Sequence, residues 1–538
     1  MSALFHREVR TALTGRFESL HHEHVSYRWW VLANVMIGTF MAVLDATIVN
    51  VGLPKIMAAF GADVDKVEWI MTAYLLVFAV MLPTSGWVAD HWGYKRTYIG
   101  ALFVFTLGSF LCGLSWDEDV LIAFRVLQGV GAGFLMPVGM AIVTREFPPE
   151  KRGIALGFWS ISAAASVSLG PLIGGYLIDN LNWQAIFDVN VPVGILGIFA
   201  TLVIQREYRT ARTRSFDVVG FVSMAVFLSF LLLALSSGNS GWNTGGWTSG
   251  FILTCLSIAL AGFVVFIITE LTVRHPLIEL RLLREFNFGV SNAVLFIFGL
   301  GMFGSTFLLP LYLQNSLGYT ALQAGSVFLP VGILQGIMSP VSGIMSDRLN
   351  PKVPAVIGIV LLAFSLYLNS FLSLYSEHAQ IMMSLYVRGF ALGLVFTPLS
   401  TIALSGISRD RMAQASGLFN VIRQVGGSFG VALIGTMLTR RVIFHSSMYG
   451  QAVDRYSPAF ARMLAAVQHQ AVTVVGGTMA EGAARARAVF GAYIGRQAFV
   501  EAINDDFLIA AGITILGVVP ILALRTRRKK RAVPPAMD

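Results

Sequence analysis

The chain has 538 residues, 56% of them hydrophobic and only 12% charged, with a mean hydropathy of +0.71. A soluble chain of this length would carry about twice that charge fraction, so a soluble globular architecture is excluded and a polytopic membrane protein is expected. The net charge of +9 raises a nucleic-acid partner, which the distribution of that charge argues against.

The first 28 residues are polar, and HHEH (21–24) offers metal donors that nothing nearby completes. Apolar runs of about 20 residues, long enough to cross a bilayer as helices, then recur. Fourteen spans are expected near 30–54, 69–89, 98–115, 120–143, 154–178, 190–205, 218–236, 250–270, 288–313, 323–345, 354–374, 381–404, 414–438 and 505–524. With the N-terminus inside, the cytoplasmic segments hold 26 Lys+Arg and the external ones 9, seven of those in the long loop 439–504. The short external loops are nearly free of positive charge, which is the positive-inside pattern with both ends cytoplasmic. The basic surplus therefore sets topology, and the tail RTRRKKR (525–531) suits anionic lipid headgroups. Cys112 and Cys255 each fall inside an apolar span, so no disulfide framework follows.

In chain order, the first residue that demands an explanation is Asp45 in MAVLDATIVNVGLP (41–54). An aspartate near mid-membrane costs roughly 2.5–3.5 kcal/mol on insertion scales. Gly38, Met41, Ala42, Val49 and Gly52 share its helical face, and span one carries no basic residue to neutralise it. An acid buried without a cation can exchange a proton near neutral pH; the alternative is permanent pairing to Arg125 or to backbone. GWVADHWGYKR (86–96) joins spans two and three, with Gly86 for close approach, Gly93 at the turn, Asp90 to cap a helix or pair with Arg, and Lys95 and Arg96 at the cytoplasmic interface. It reads as a conformational latch, or as topology alone. In span four, Arg125 shares a face with Gln128, Gly129, Ala132 and Met136; its approach would lower the pKa of a nearby acid and drive proton release, and its withdrawal would raise it. GVGAG (129–133) lies inside a span with no preceding strand, so it is not a dinucleotide fingerprint. LGPLIGGYLID (169–179) combines a kink at Pro171 with close approach at Gly170, Gly174 and Gly175, a helix able to seal one end of a pathway. Asp188, where span six enters the membrane, either draws a cationic substrate or is solvated at the interface.

Spans seven and eight (within 207–274) have no counterpart elsewhere and stand between two similar halves, 29–206 and 275–524, flanked by cytoplasmic tails 1–28 and 525–538. In the second half GIMSDRLNPK (343–352) repeats the Gly, Asp, Lys spacing of the first, with Gly343, Asp347 and Lys352, and RGFALGLVFTP (388–398) echoes RVLQGVGAGFLMP (125–137). Phe307, Tyr312, Arg388, Asn420 and Arg423 join Gln128, Met136 and Asp188 as candidates for a substrate cavity; Arg423 either binds an anionic group or ties two helices together. The segment 439–504 is expected as a long, Ala-rich, mildly amphipathic external loop.

The motifs LDATIVNVGLP, GWVADHWGYKR, RVLQGVGAG and LGPLIGGYLID, in this order and spacing, resemble those of the major facilitator superfamily, and within it the fourteen-span drug:proton antiporters of the EmrB/QacA type. The resemblance covers Trp29 to about Arg525. It implies an all-α membrane fold of two six-helix bundles plus two extra central helices. It also implies proton coupling through Asp45 and Arg125, an antiporter gate at the Pro171 motif, and amphipathic drugs or toxic small molecules as substrates. Asp188 and Gln184–Ala185 depart from the family pattern, where an apolar or aromatic residue and Arg-Trp are usual. A periplasmic membrane-fusion adaptor and an outer-membrane channel serve some relatives, and the sequence leaves open whether they serve this chain.

The expected activity is proton-driven efflux by alternating access across a bacterial inner membrane, with no enzyme chemistry, metal or cofactor. No phosphate-binding Gly-x-x-x-x-Gly-Lys-Ser/Thr loop, HExxH or nucleophile elbow is present. A coupled or facilitated transporter of one metabolite, or a membrane receptor, is the alternative.

Overall fold

The computed structural model describes residues 24–61, 64–208, 215–238, 242–273, 276–306, 308–348, 350–408, 411–452, 457–476 and 478–525. The side chains of HHEH and nearly all of the basic tail fall outside them. Among the described residues every regular element is a helix, as expected where no water is at hand to satisfy exposed backbone groups. The first half contains α1 (His24–Phe60), α2 (Val64–Trp92), α3 (Tyr94–Gly113), α4 (Glu118–Glu146), α5 (Arg152–Asn180) and α6 (Asn190–Ile204). The inserted pair is α7 (Val218–Ser237) and α8 (Gly250–Thr272). The second half contains α9 (Phe286–Thr306), α10 (Leu329–Arg348), α11 (Lys352–Leu368), α12 (His378–Ser405), α13 (Met412–Ala452), α14 (Pro458–Val475) and α15 (Met479–Leu516). Fourteen helices, α14 not among them, are long and apolar enough to cross a membrane.

The repeat seen in the sequence is carried by the backbone. Prolines interrupt equivalent helices at equivalent points, Pro83 in α2 and Pro340 in α10, Pro137 in α4 and Pro398 in α12. Helix starts are fixed by side-chain caps: Asp117 accepts from Val120 N (2.7 Å) before α4, and Asp217 from Gly220 N (2.8 Å) before α7. The inserted α7 and α8 pack on each other through Gly262, and Trp247 Nε1 in their connection donates to Thr436 Oγ1 of α13 (2.7 Å).

One expectation needs correction. The segment 439–504 is not a loop: α13 runs on to Ala452, α15 starts at Met479, and α14 lies between them. Alanine is the best helix former, and Thr478 with Glu481 forms a capping box at the start of α15. With 41 residues, α13 spans about 60 Å at 1.5 Å per residue, roughly twice the hydrocarbon core. Asp505 of α15 ties it down through His445 (2.8 Å) and Arg441 (3.5 Å).

The two halves meet most closely where the repeated Gly-x-x-x-Asp motifs lie. A Cβ on Gly86 would sit 2.9 Å from Gln414 N of α13, and one on Gly153 2.7 Å from Gly343 O of α10. Asp347 accepts from Gly153 N (3.1 Å) and Ile154 N (2.9 Å), joining the end of α10 to the first turn of α5, where an anion meets free amides and the positive end of the helix dipole. The seam continues along α5 and α10 with Gly157 on Ser339 and Gly332 on Ala164 O, and beyond α10 Gly175 packs on Leu322. Gly343→Val should force this end apart, since backbone atoms cannot yield to the added carbons. A thiol introduced at the buried Ser342 should then react with maleimide several-fold faster than in the parent. Cys112 and Cys255 are buried, so unchanged labelling of the introduced thiol would show that the seam does not depend on glycine.

Candidate functional site

The small residues of α4 decide where its charge lies. A Cβ on Gly129 would meet Tyr74 O of α2 at 2.9 Å, one on Gly133 would meet Met81 Cβ at 2.5 Å, and Gly131 presses on Phe105 and Ala101 of α3. From the other side Gly108 of α3 brings its backbone within 2.7 Å of Gln128 Cα, measured from the Cβ it lacks. The GVGAG stretch is thus a packing groove on both faces. It holds the Arg125 turn deep in the first half, where Arg125, Gln128 and Asp45 are all 0% exposed.

There Asp45 is paired. Its Oδ2 takes Arg125 Nη1, while Oδ1 accepts from Gln128 Nε2 (2.8 Å) and from Asn190 Nδ2 of α6 (3.3 Å). Gln128 Oε1 accepts from Arg125 Nη1 (2.7 Å), and Arg125 Nε donates to Ile70 O (3.1 Å). Asn190 also donates to Ser109 Oγ (3.1 Å), which donates to Phe187 O (2.9 Å). The Tyr74 ring lies 4.1 Å from Arg125 Cζ, and its hydroxyl donates to Ala42 O of α1 (3.0 Å). Arg125 Nη2 alone has no partner. The arrangement is a carboxyl group with three donor side chains around it, beside a guanidinium with one arm spare.

The expectation of an acid without a cation is therefore corrected. Span one supplies none, but α4 does, and the pairing with Arg125 weighed as the alternative is what the fold contains. Gln128 is likewise a member of this cage rather than a cavity wall. Asn190 and Ser109 were missed: Asn190 is a lone amide two residues beyond Asp188 in an otherwise apolar run, which was the available signal. Asp188 itself is exposed, outside the cage, its carboxylate covering Gly113. Met136 (5% exposed) and Tyr312 (0%) are packed in cores, the Tyr312 hydroxyl donating to Ser373 O (2.6 Å), so neither lines a cavity.

The GWVADHWGYKR segment folds against its own half. Gly93 has φ 100°, a conformation few side chains tolerate, and Glu207 beyond α6 lies over it. Glu207 accepts from Lys95 N (3.2 Å) and pairs with Arg96 (3.6 Å), while Lys95 Nζ donates to Leu202 O (2.7 Å). Asp90 accepts from the Tyr94 hydroxyl (3.1 Å). In the span-five motif, Gly170 presses on Thr47 of α1, two residues beyond Asp45, and Gly175 on Leu322 of the other half; Gly174 is buried. The side chains of Pro171 and Phe307 lie outside the described residues.

In the second half Arg388 Nη2 donates to Thr306 Oγ1 (3.1 Å), Ser305 Oγ (3.3 Å) and Met302 O (3.4 Å) of α9. Asn420 is buried, donating to Ser416 O (2.9 Å) and touching Met140 of α4. Arg423 is partly exposed between the rings of Phe396 (5.8 Å) and Phe303 (5.9 Å). A shallow cavity of about 160 Å³ lies elsewhere, between Phe286, Asn287, Ile407 and Arg525, too small for a drug-sized ligand.

A model of the Major Facilitator Superfamily matches residues 35–217 and 209–431. The multidrug export protein EmrB of Escherichia coli (strain K12) is 31% identical over 489 residues, 90% of this chain and 93% of the relative. The fatty acid resistance protein FarB of Neisseria gonorrhoeae is 30% identical, over 92% of this chain and 95% of the relative. The MFS-type transporter YhcA of Bacillus subtilis (strain 168) is 30% identical over 505 residues, 93% of each. Among solved structures, the human organic anion transporter MFSD10 (TETRAN) shares the fold, with a TM-score of 0.57 at 13% identity over 92% of this chain and 99% of that one. The chain belongs to the major facilitator superfamily, and within it to the EmrB-type family of multi-pass membrane transporters.

Proposed function

We propose that this protein is a proton-driven efflux transporter of amphipathic drugs or toxic small molecules. The observation that carries the reading is the caged Asp45–Arg125 pair, an exchangeable acid set in a dry interior beside a cation that can stabilise its charge. The names of the relatives, multidrug export and fatty acid resistance, support export over import.

Arg125 Nη1 holds the Asp45 carboxyl group in this state. Protonating it removes the attraction that holds the guanidinium, and Arg125 swings toward Gln128 and the carbonyl of Ile70, which already hold it. Loss of a charged contact between α1 and α4 then biases the bundle toward its other state. Protonation occurs from the outside and release to the inside, where Arg125 returns and substrate binds. Each proton carried inward gains about 2.3 kcal/mol per 100 mV and about 1.36 kcal/mol per pH unit. Roughly 3 kcal/mol sustains about a hundredfold gradient of a neutral substrate.

The positive-inside pattern supports a bacterial inner-membrane location with both termini cytoplasmic, so the α10–α5 seam is the cytoplasmic closure and Asp347 its latch. The extended α13 and α15 with α14 then stand on the outer side, where a membrane-fusion adaptor and outer-membrane channel would dock.

Asp45→Asn should abolish dye-driven proton release from proteoliposomes loaded with acid while the protein remains folded and membrane-inserted. Wild-type exchange in that variant would sink the assignment. Replacing Gln128 or Asn190 by Ala leaves Asp45 one donor short, at a cost of about 1–3 kcal/mol. Exchange should slow roughly tenfold or more without vanishing; rates equal to wild type would show that these amides do not tune the acid.

A further inference from the structure

Three arginines lie inside the membrane spans, and the structure treats them differently. Arg125 has a carboxylate, and Arg388 has two hydroxyls and a carbonyl. Arg423 has neither: among the described residues it makes no hydrogen bond and no ion pair, and its buried Nε is left without a partner. Only the faces of Phe396 and Phe303 attend it, close enough for cation–π attraction.

Its position is central. One turn earlier on α13, Asn420 touches Met140 of α4 and Phe419 meets Phe396 edge to face (5.9 Å). One turn later Gly427 packs on Phe303 of α9. Phe396 in turn meets Trp159 of α5 (6.2 Å). The guanidinium thus sits in an aromatic cleft built by both halves, where transporters of this architecture place their substrate. Arg423, Phe303 and Phe396 are each partly exposed there rather than sealed in a core. A cation left without an acid at this depth is unfavourable, and the cost is recovered when an anion joins it.

We propose that Arg423 is the recognition point for the anionic head of an amphipathic substrate, specifically a carboxylate, with the apolar tail lying along Phe303 and Phe396. This rests on the transporter reading above and deepens it by naming a substrate class. The planar guanidinium offers a carboxylate two parallel hydrogen bonds, and the rings hold the tail without regard to its sequence of carbons. A cationic amphiphile would meet like charge at the same point and be rejected.

The test separates binding from export. Full-length protein in phosphatidylcholine nanodiscs is titrated with 11-dansylaminoundecanoic acid and with its uncharged primary amide, at alkaline pH where the acid is ionised. Wild type should bind the acid about tenfold to a hundredfold more tightly than the amide. Arg423→Gln should lose that preference while keeping its affinity for the amide, which serves as the check that the cleft is intact. Arg423→Lys should retain part of the preference. Equal affinities in wild type, or a preference that survives Arg423→Gln, would overturn the proposal. So would loss of acid and amide binding alike in both the Gln and Lys variants, which would make Arg423 a packing residue. Displacement of the acid by phosphatidylglycerol in the nanodisc, in wild type but not Arg423→Gln, would identify a lipid-headgroup site instead and equally overturn it. Absence of proton-driven export in proteoliposomes would defeat the antiport reading while leaving the acid-over-amide preference as measured.

Discussion

A charge at the centre of a bilayer must be matched, and the first half of this protein is organised around one match. Breaking a buried pair by removing one partner costs about 3–5 kcal/mol because the remaining charge is stranded. The pair therefore constrains its surroundings: α1 brings the acid, α4 the cation, α6 an amide and α2 a carbonyl and an aromatic face. Four helices can converge on one carboxylate only if their backbones come close. That is the work of Gly108, Gly129, Gly131 and Gly133, whose missing side chains leave the room. Packing and electrostatics are one device here, since any bulk added at the glycines would move the donors away from the acid.

The second half repeats the geometry without the acid. By the internal repeat α9 corresponds to α1 and α12 to α4, so Arg388 reaching α9 is the counterpart of Arg125 reaching α1. Where the first half offers Asp45, the second offers Ser305, Thr306 and a main-chain oxygen. Neutral oxygens satisfy the hydrogen bonds of a guanidinium without cancelling its charge, so Arg388 and Arg423 leave that half positive at membrane depth. Asp45 with its cation and the two arginines without an acid partner thus lie in different bundles.

Legibility from sequence followed what each residue needs from its neighbours. Asp45 and Arg125 stand out because a membrane charge is costly wherever it lies, and helical periodicity places Gln128 on the same face as Arg125. Their mutual contact is a tertiary fact, and the lack of a base in span one pointed the wrong way. Asn190 carries no charge and so raised no alarm, although it closes the cage. The fourteen spans and the inserted pair were plain from hydropathy, whereas 439–504 was misread because polar, Ala-rich sequence satisfies a loop and an exposed helix equally well. Glu207 escaped notice for a related reason: nothing local says that a carboxylate after span six will cover the loop before span three.

The seam between halves shows why such a fold can move at all. At the motif-bearing end it includes backbone laid on glycine and two amide hydrogen bonds to Asp347. Each such hydrogen bond is worth about 1 kcal/mol net, somewhat more to a charge, so these two contribute a few kcal/mol to closure. That is the scale on which two states stay in exchange. It is also the scale of the energy released when one proton crosses an energised membrane, about 2.3 kcal/mol per 100 mV. A seam of large interdigitated residues would exceed that supply and lock the protein shut. The glycines thus serve two ends: inside the first half they bring donors onto one acid, and between the halves they let backbone meet backbone.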